Sequence, residues 1–167
     1  MPELTPQERL QPSLLDRLTD DEPERKTESR DRRVLSLERL RESVIRDLGW
    51  LLNACHLEAV QPLDEFPEVK RSTLNYGMVD LTGIPASGVD VKLVEKMIRD
   101  TVLIFEPRIL ERTLVVKVEV DRERMSHNAI IFRIEGELWA QPLPLQLYLK
   151  TEVDLEMGNI SIAETSS

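Results

Sequence analysis

Glu106, Pro107 and Arg108 interrupt the apolar run VLIFEPRILERTLVVKV, residues 102–118. An acid and a base on either side of a proline can do two kinds of chemistry. Glu106 follows Phe105, and desolvation raises a carboxyl pKa toward the range of a glycosidase acid, which needs a second carboxylate nearby. Asp90, Asp100 and Asp121 are candidates for that second group. Alternatively, the two charges form a docking element. Pro107 has no N–H and disfavours helical angles at Glu106, so a helix should stop near Phe105. A carboxylate just past a helix C-terminus faces the negative end of the dipole, a cost of roughly 0.3–1 kcal/mol. Arg108 carries a planar fork suited to carboxylates. This reading expects Glu106 and Arg108 to be exposed in the isolated chain and buried against charged partners in an assembly. Their alanine variants should then fold normally.

Other chemistries are poorly provided for. Cys55 and His56 are adjacent, and His127 is the remaining histidine. Neighbours on a helix point about 100° apart, and zinc-type spacings are absent, so Cys55 reads as a packed helix residue and no metal is expected. There is no Gly-x-Ser-x-Gly and no glycine-rich phosphate loop, so no cofactor or small-molecule substrate is expected. Carboxylates number 31 among 167 residues, so acid pairs arise by chance, and aromatics at 4% are too few for a sugar-stacking cleft.

Composition narrows the partners. A net charge of −9 opposes nucleic acid, whose binding rests on phosphate neutralisation, and opposes an anionic membrane surface. A single cysteine allows no intrachain disulfide and suits a reducing compartment. The N-terminal residues lack the pattern of a signal peptide, and no run reaches the ~18 apolar residues of a spanning helix. The expectation is a cytoplasmic protein without membrane insertion.

The elements that position Glu106 and Arg108 follow from periodicity. Near the N-terminus, PSLLDRL places Leu14, Leu15 and Leu18 at helical spacing. They sit on a segment too short to be a stable helix alone, so they should cover a partner or the chain's own domain. Residues 20–33 hold six acids and five bases and read as a charged linker. From Val34, Leu37, Leu40, Val44, Leu48, Leu51 and Cys55 mark one face of a helix of about six turns. Residues 56–73 read as loop, with a short strand near 73–76. Ser87 and Asp90 have capping-box spacing ahead of a helix with Val94, Ile98, Val102 and Phe105 on its inner face. Three strands then alternate with period two. Leu114, Val116, Val118 and Val120 share one face of the first; Ile130, Phe132, Ile134, Leu138 and Ala140 of the second; Leu145, Leu147, Leu149, Val153 and Leu155 of the third. The class is α+β in two layers: an antiparallel three- to four-stranded sheet against two main helices, with an N-terminal arm. The expected parts are an arm, 1–33, a single domain, 34–157, and a polar tail, 158–167. A meander leaves at least one free edge, and the third strand is a candidate for it.

PSLLDRL, then RDLGWLLN at 46–53, LNYGMVDLTG at 74–83 and IFEPRI at 104–109 resemble, in that order, the TssE family. That family provides a baseplate subunit of type VI secretion systems and is similar to a wedge protein of contractile-tail phage baseplates. Gly49 departs from the pattern, where an acidic residue is expected. The resemblance implies a non-enzymatic structural subunit that docks on other wedge proteins through Glu106, Pro107 and Arg108. It also implies strand interlocking with sheath proteins and a part in starting sheath polymerisation. Family members also carry a lysozyme-like label, the alternative being a glycoside hydrolase acting on peptidoglycan.

Overall fold

The computed structural model describes residues 13–19, 24, 37–82, 90–119, 129–139, 144–155 and 157–164. Leucine and valine at steps of three and four give α2, Leu37–Asn53, which buries Leu40, Val44, Leu48, Leu51 and Leu52. A single turn, α3, spans Pro67–Lys70, and a second apolar stripe gives α4, Val91–Phe105, which buries Val94, Ile98 and Val102. Asp90 caps α4 by accepting from Leu93 N–H at 3.2 Å. Its expected capping partner Ser87 lies outside the described residues. A short α1, Leu14–Leu18, is opened by Ser13, whose hydroxyl accepts from Asp16 N–H.

The strands are β1, Val115–Glu119; β2, Ala129–Leu138; β3, Leu145–Asp154; and β4, Ile160–Glu164. They form one antiparallel sheet in the order β1-β2-β3-β4. Period-two alternation turns Phe132, Ile134, Leu138, Leu147, Leu149 and Val153 to one face, where α2 and α4 bury them in a single core. α4 lies along β1 and α2 along β4. The fold is therefore the expected α+β architecture.

Four local expectations are corrected. Residues 160–164 are not a polar tail: they pair with β3 in register Val153↔Ile160 to Leu149↔Glu164. Ile160 and Ile162 pack on the core. The third strand is consequently interior, and the edges among the described residues are β1 and β4. Residues 73–76 hold a 3-10 turn, Thr73–Asn75, rather than a strand. Ser72 caps that turn, and the buried Asn75 amide ties it to Glu58 N–H and Lys70 C=O. Cys55 is exposed and lies beyond α2. Its backbone bridges Met78, with Met78 N–H on Ala54 C=O at 2.8 Å and His56 N–H on Met78 C=O at 3.2 Å.

That bridge depends on Gly77. Its φ is +125°, and a Cβ there would stand 2.4 Å from the Ala54 carbonyl oxygen, so both torsion and space require glycine. Gly49 is different, because a Cβ on it meets nothing within 4 Å. Gly77→Ala is therefore expected to destabilise the protein by about 1–3 kcal/mol. Gly49→Ala should stabilise it by about 0.5–1 kcal/mol through helix propensity. Urea unfolding of the two variants beside the parent checks both signs.

Candidate functional site

The bend after α4 is built from its own side chains. Helix α4 ends at Phe105, where Pro107 stops it, and Glu106 N–H makes the last helical bond, to Val102 C=O. Across the exposed Pro107, Arg108 folds back on Glu106. Arg108 Nε donates to Glu106 Oε1 at 2.6 Å, Nη2 donates to Oε2, and the Arg108 backbone N–H also reaches Oε1. The carboxylate thus accepts from both sides of one guanidinium, the bidentate geometry that makes such pairs strong. Ile109 N–H returns to Glu106 C=O, and Arg108 C=O accepts from Trp139 N–H at 2.7 Å. Ile109 also bridges Leu138, so the bend is stitched to the end of β2.

Helix α2 supplies the rest. Ser43 and Asp47, one turn apart, face the guanidinium. Nη2 donates to Asp47 Oδ2 at 2.6 Å, and Nη1 donates to Ser43 Oγ at 3.2 Å. Ser43 hands its own proton to Leu40 C=O. The other Asp47 oxygen accepts from Arg46 Nε and Nη2 at 3.0 and 2.8 Å. Arg46 continues to Asp16 on α1 through Nη1, and its guanidinium lies over the Trp50 ring. Asp16 in turn accepts from the Ser13 hydroxyl at 2.6 Å. An alternating chain of charges therefore runs from α1 through α2 to the bend.

Burial decides how these charges behave. Glu106 is 3% exposed, and the expectation that it stands exposed in the isolated chain is corrected. Its charge is already matched inside the subunit, and the Arg108 fork is already occupied. Burial alone would lower the Arg108 pKa. The hydrogen bonds and charges of Glu106, then of Asp47, outweigh that and hold the guanidinium proton more firmly than in water. Burial pushes the Tyr76 phenol up, with Asp47 and Glu106 adding to the effect. Tyr76 stays neutral, its hydroxyl 3.4 Å from Asp47 C=O and its ring edge-on to Phe105 at 5.4 Å. A pocket of about 360 Å³ opens here, walled by Leu40, Leu51, Tyr76 and Phe105 and rimmed by Asp47, Arg108 and Ser13.

The other expected residues are placed as follows. Leu14, Leu15 and Leu18 lie on α1, with Leu14 and Leu18 more than 70% exposed. Leu15 is half-covered, and Asp16 ties the helix to the domain through Arg46. Neither Asp90 nor Asp100 bonds to Glu106, and Asp121 is outside the described residues. Among the described residues no group of three or more His, Cys, Asp or Glu side chains is arranged to hold a metal ion. No described helix is long and apolar enough to cross a membrane. Ser43, Asp47 and Tyr76 were missed as site residues. Their signal lay in the i, i+4 spacing of Ser43 and Asp47 and in the position of Asp47 and Tyr76 within RDLGWLLN and LNYG.

Residues 38–143, which carry α2 from its second residue, the pocket lining apart from Ser13, the bend, β1 and β2, match the family described as baseplate wedge protein gp25. The chain belongs to that family. No curated protein and no solved structure matches it. The family is structural and non-catalytic, a component of contractile tail or secretion baseplates that partners with other baseplate proteins. The Glu106–Arg108 geometry fits that character, since a general acid must donate a proton and both Glu106 oxygens are engaged as acceptors.

Two outcomes follow from the charge chain. Arg108→Ala strands a buried carboxylate, so unfolding free energy should fall by about 3–5 kcal/mol. Arg108→Lys, which keeps the charge without the fork, should lie between it and the parent in urea melts. Asp16 gives a pH dependence. Burial raises its pKa, but the hydrogen bonds from Arg46 and Ser13 and the Arg46 charge more than reverse this, and the folded value lies below 3.8. The docking of α1 is therefore fully stabilised above pH 3.8 and is lost as pH falls through the depressed value. NMR shifts of Asp16 and Trp50 through an acid titration should report this release before the core unfolds.

Proposed function

We propose that this chain is a TssE-like structural subunit of a type VI secretion baseplate, working in the cytoplasm without catalysis. It docks on other wedge subunits through the face formed by the Glu106-Pro107-Arg108 bend, the adjoining pocket and α1, and it helps to start sheath polymerisation. The observation that carries this reading is a rigid bend beside an apolar-walled pocket, with the leucines of α1 left uncovered on a helix that begins at its rim. A prearranged surface loses little entropy on docking.

The charge geometry changes how the motif works. The Arg108 fork is spent on Glu106 and Asp47, so Glu106 and Arg108 act by holding the bend in shape. Pro107, the pocket wall and the leucines Leu14, Leu15 and Leu18 then meet the partner. The sheath contact moves from β3 to β4, the edge strand on the α2 side, since an open edge is a template for an added strand.

The decisive experiment is co-purification with wedge proteins expressed in the same cells. Leu14→Asp combined with Leu18→Asp should leave the melting temperature within a degree or two, because these side chains are exposed. Recovery of wedge partners should fall by about tenfold or more. Undiminished recovery would remove α1 from the docking face. Lysis of peptidoglycan by the purified protein would replace the scaffold reading with the hydrolase.

A further inference from the structure

The last residue of α2, Asn53, does something its helix does not need. Its Nδ2 donates to Gly49 C=O at 2.7 Å and to Ile160 C=O at 2.9 Å, while its Oδ1 accepts from Ile160 N–H at 2.9 Å. One side-chain amide thus takes both backbone groups of a residue 107 positions away.

The register shows which side of β4 those groups face. Asp154 N–H bonds Asn159 C=O across the turn, and Val153 lies opposite Ile160. In an antiparallel ladder this makes Val153–Ile160 a non-hydrogen-bonded pair, whose N–H and C=O point away from each other. Ile160 therefore turns its polar groups outward, to the open edge, and by alternation so do Ile162 and Glu164. Asn53 occupies the first of these three outward positions in the manner of a residue on an added strand. No described residue pairs with the outward groups of Ile162.

We propose that Asn53 is a register stop on the β4 edge. An extended segment of another chain must begin or end its pairing at Ile162. A second copy of this chain cannot pair along the whole of β4. The twofold register that engages all three outward residues is centred on Ile162 and sets Ile160 against Glu164 of the other copy twice. Asn53 removes both of those pairs. Slipping by one residue toward the C-terminus leaves only Ile162 and Glu164 in use. The opposite edge carries a related device, since Glu95 of α4 accepts from Val118 N–H on β1 at 2.8 Å. Each edge strand is thus covered in part by the helix lying along it, a common protection against edge-to-edge association.

The role of β4 toward a partner strand rests on the docking reading above. The stop itself is tested on the isolated full chain, so the two can fail separately. Hydrogen exchange should show the Ile160 amide protected roughly tenfold or more over that of Ile162 in the parent, and the difference should vanish in Asn53→Ala. Sedimentation velocity should find the parent monomeric and Asn53→Ala dimerising as concentration rises. A fluorescent peptide of residues 158–167 should bind the variant and not the parent. A parent that already dimerises through β4, or a variant that stays monomeric and ignores the peptide while its Ile160 amide exchanges freely, would overturn the proposal. So would loss of protection at Ser161 and Ala163 in the variant, because Asn53 would then be anchoring β4 to β3 rather than closing its edge.

Discussion

A charge with almost no water around it must be matched within hydrogen-bond reach. Glu106 is that charge, and much of the molecule's arrangement follows from it. Pro107 fixes the bend that returns Arg108 to the carboxylate. Arg108 then needs more acceptors than one carboxylate offers, and Ser43 and Asp47 on α2 supply them. Asp47 divides its two oxygens between Arg108 and Arg46, and Arg46 passes the pairing on to α1. The middle of α2 and the C-terminal end of α4 are thereby locked together at the mouth of an apolar pocket. The polar network lies beside a core built mainly of leucine, isoleucine and valine.

α2 serves two edges of the molecule. Ser43 and Asp47 face the bend, while Arg41 and Asn53 reach β4. Arg41 pairs with Glu164 at 2.9 Å and donates to Gln146 C=O on β3, and Asn53 holds Ile160. Arg41, Ser43, Asp47 and Asn53 are thus committed to distant segments.

Most of the frame was legible because periodicity carries it. Val94, Ile98 and Val102 announce α4, Pro107 announces its end, and alternation from Leu114 to Leu155 announces three strands and the buried face. What escaped was set by partners far along the chain. The run of apolar steps continued to Cys55, yet Gly77 lets the 76–78 segment pair there, and the chain leaves the helix after Asn53. β4 is five residues long, with serine between its two isoleucines and alanine and glutamate after them, too little alternation to separate from a polar tail. Its turn depends on Gly158, with φ +72°. The charges of the bend were read as unmatched because their local neighbours are apolar, whereas Asp47 and Ser43 stand 61 and 65 residues earlier. Local pattern shows that a charge is awkwardly placed; it does not show what the fold brings to it.

The double grip on β4 has a mechanical consequence. Asn53 and Arg41 lie about 18 Å apart along α2 and hold opposite ends of one five-residue strand. A pull along β4 loads its ladder to β3 and both side-chain ties together, in shear, so no single bond carries the tension. A pull at right angles would open the bonds one at a time, starting at whichever tie is nearer the load. Traction on this edge along the strand axis therefore passes into α2 as a rigid strut, and through it to the charged bend at the other side of the subunit.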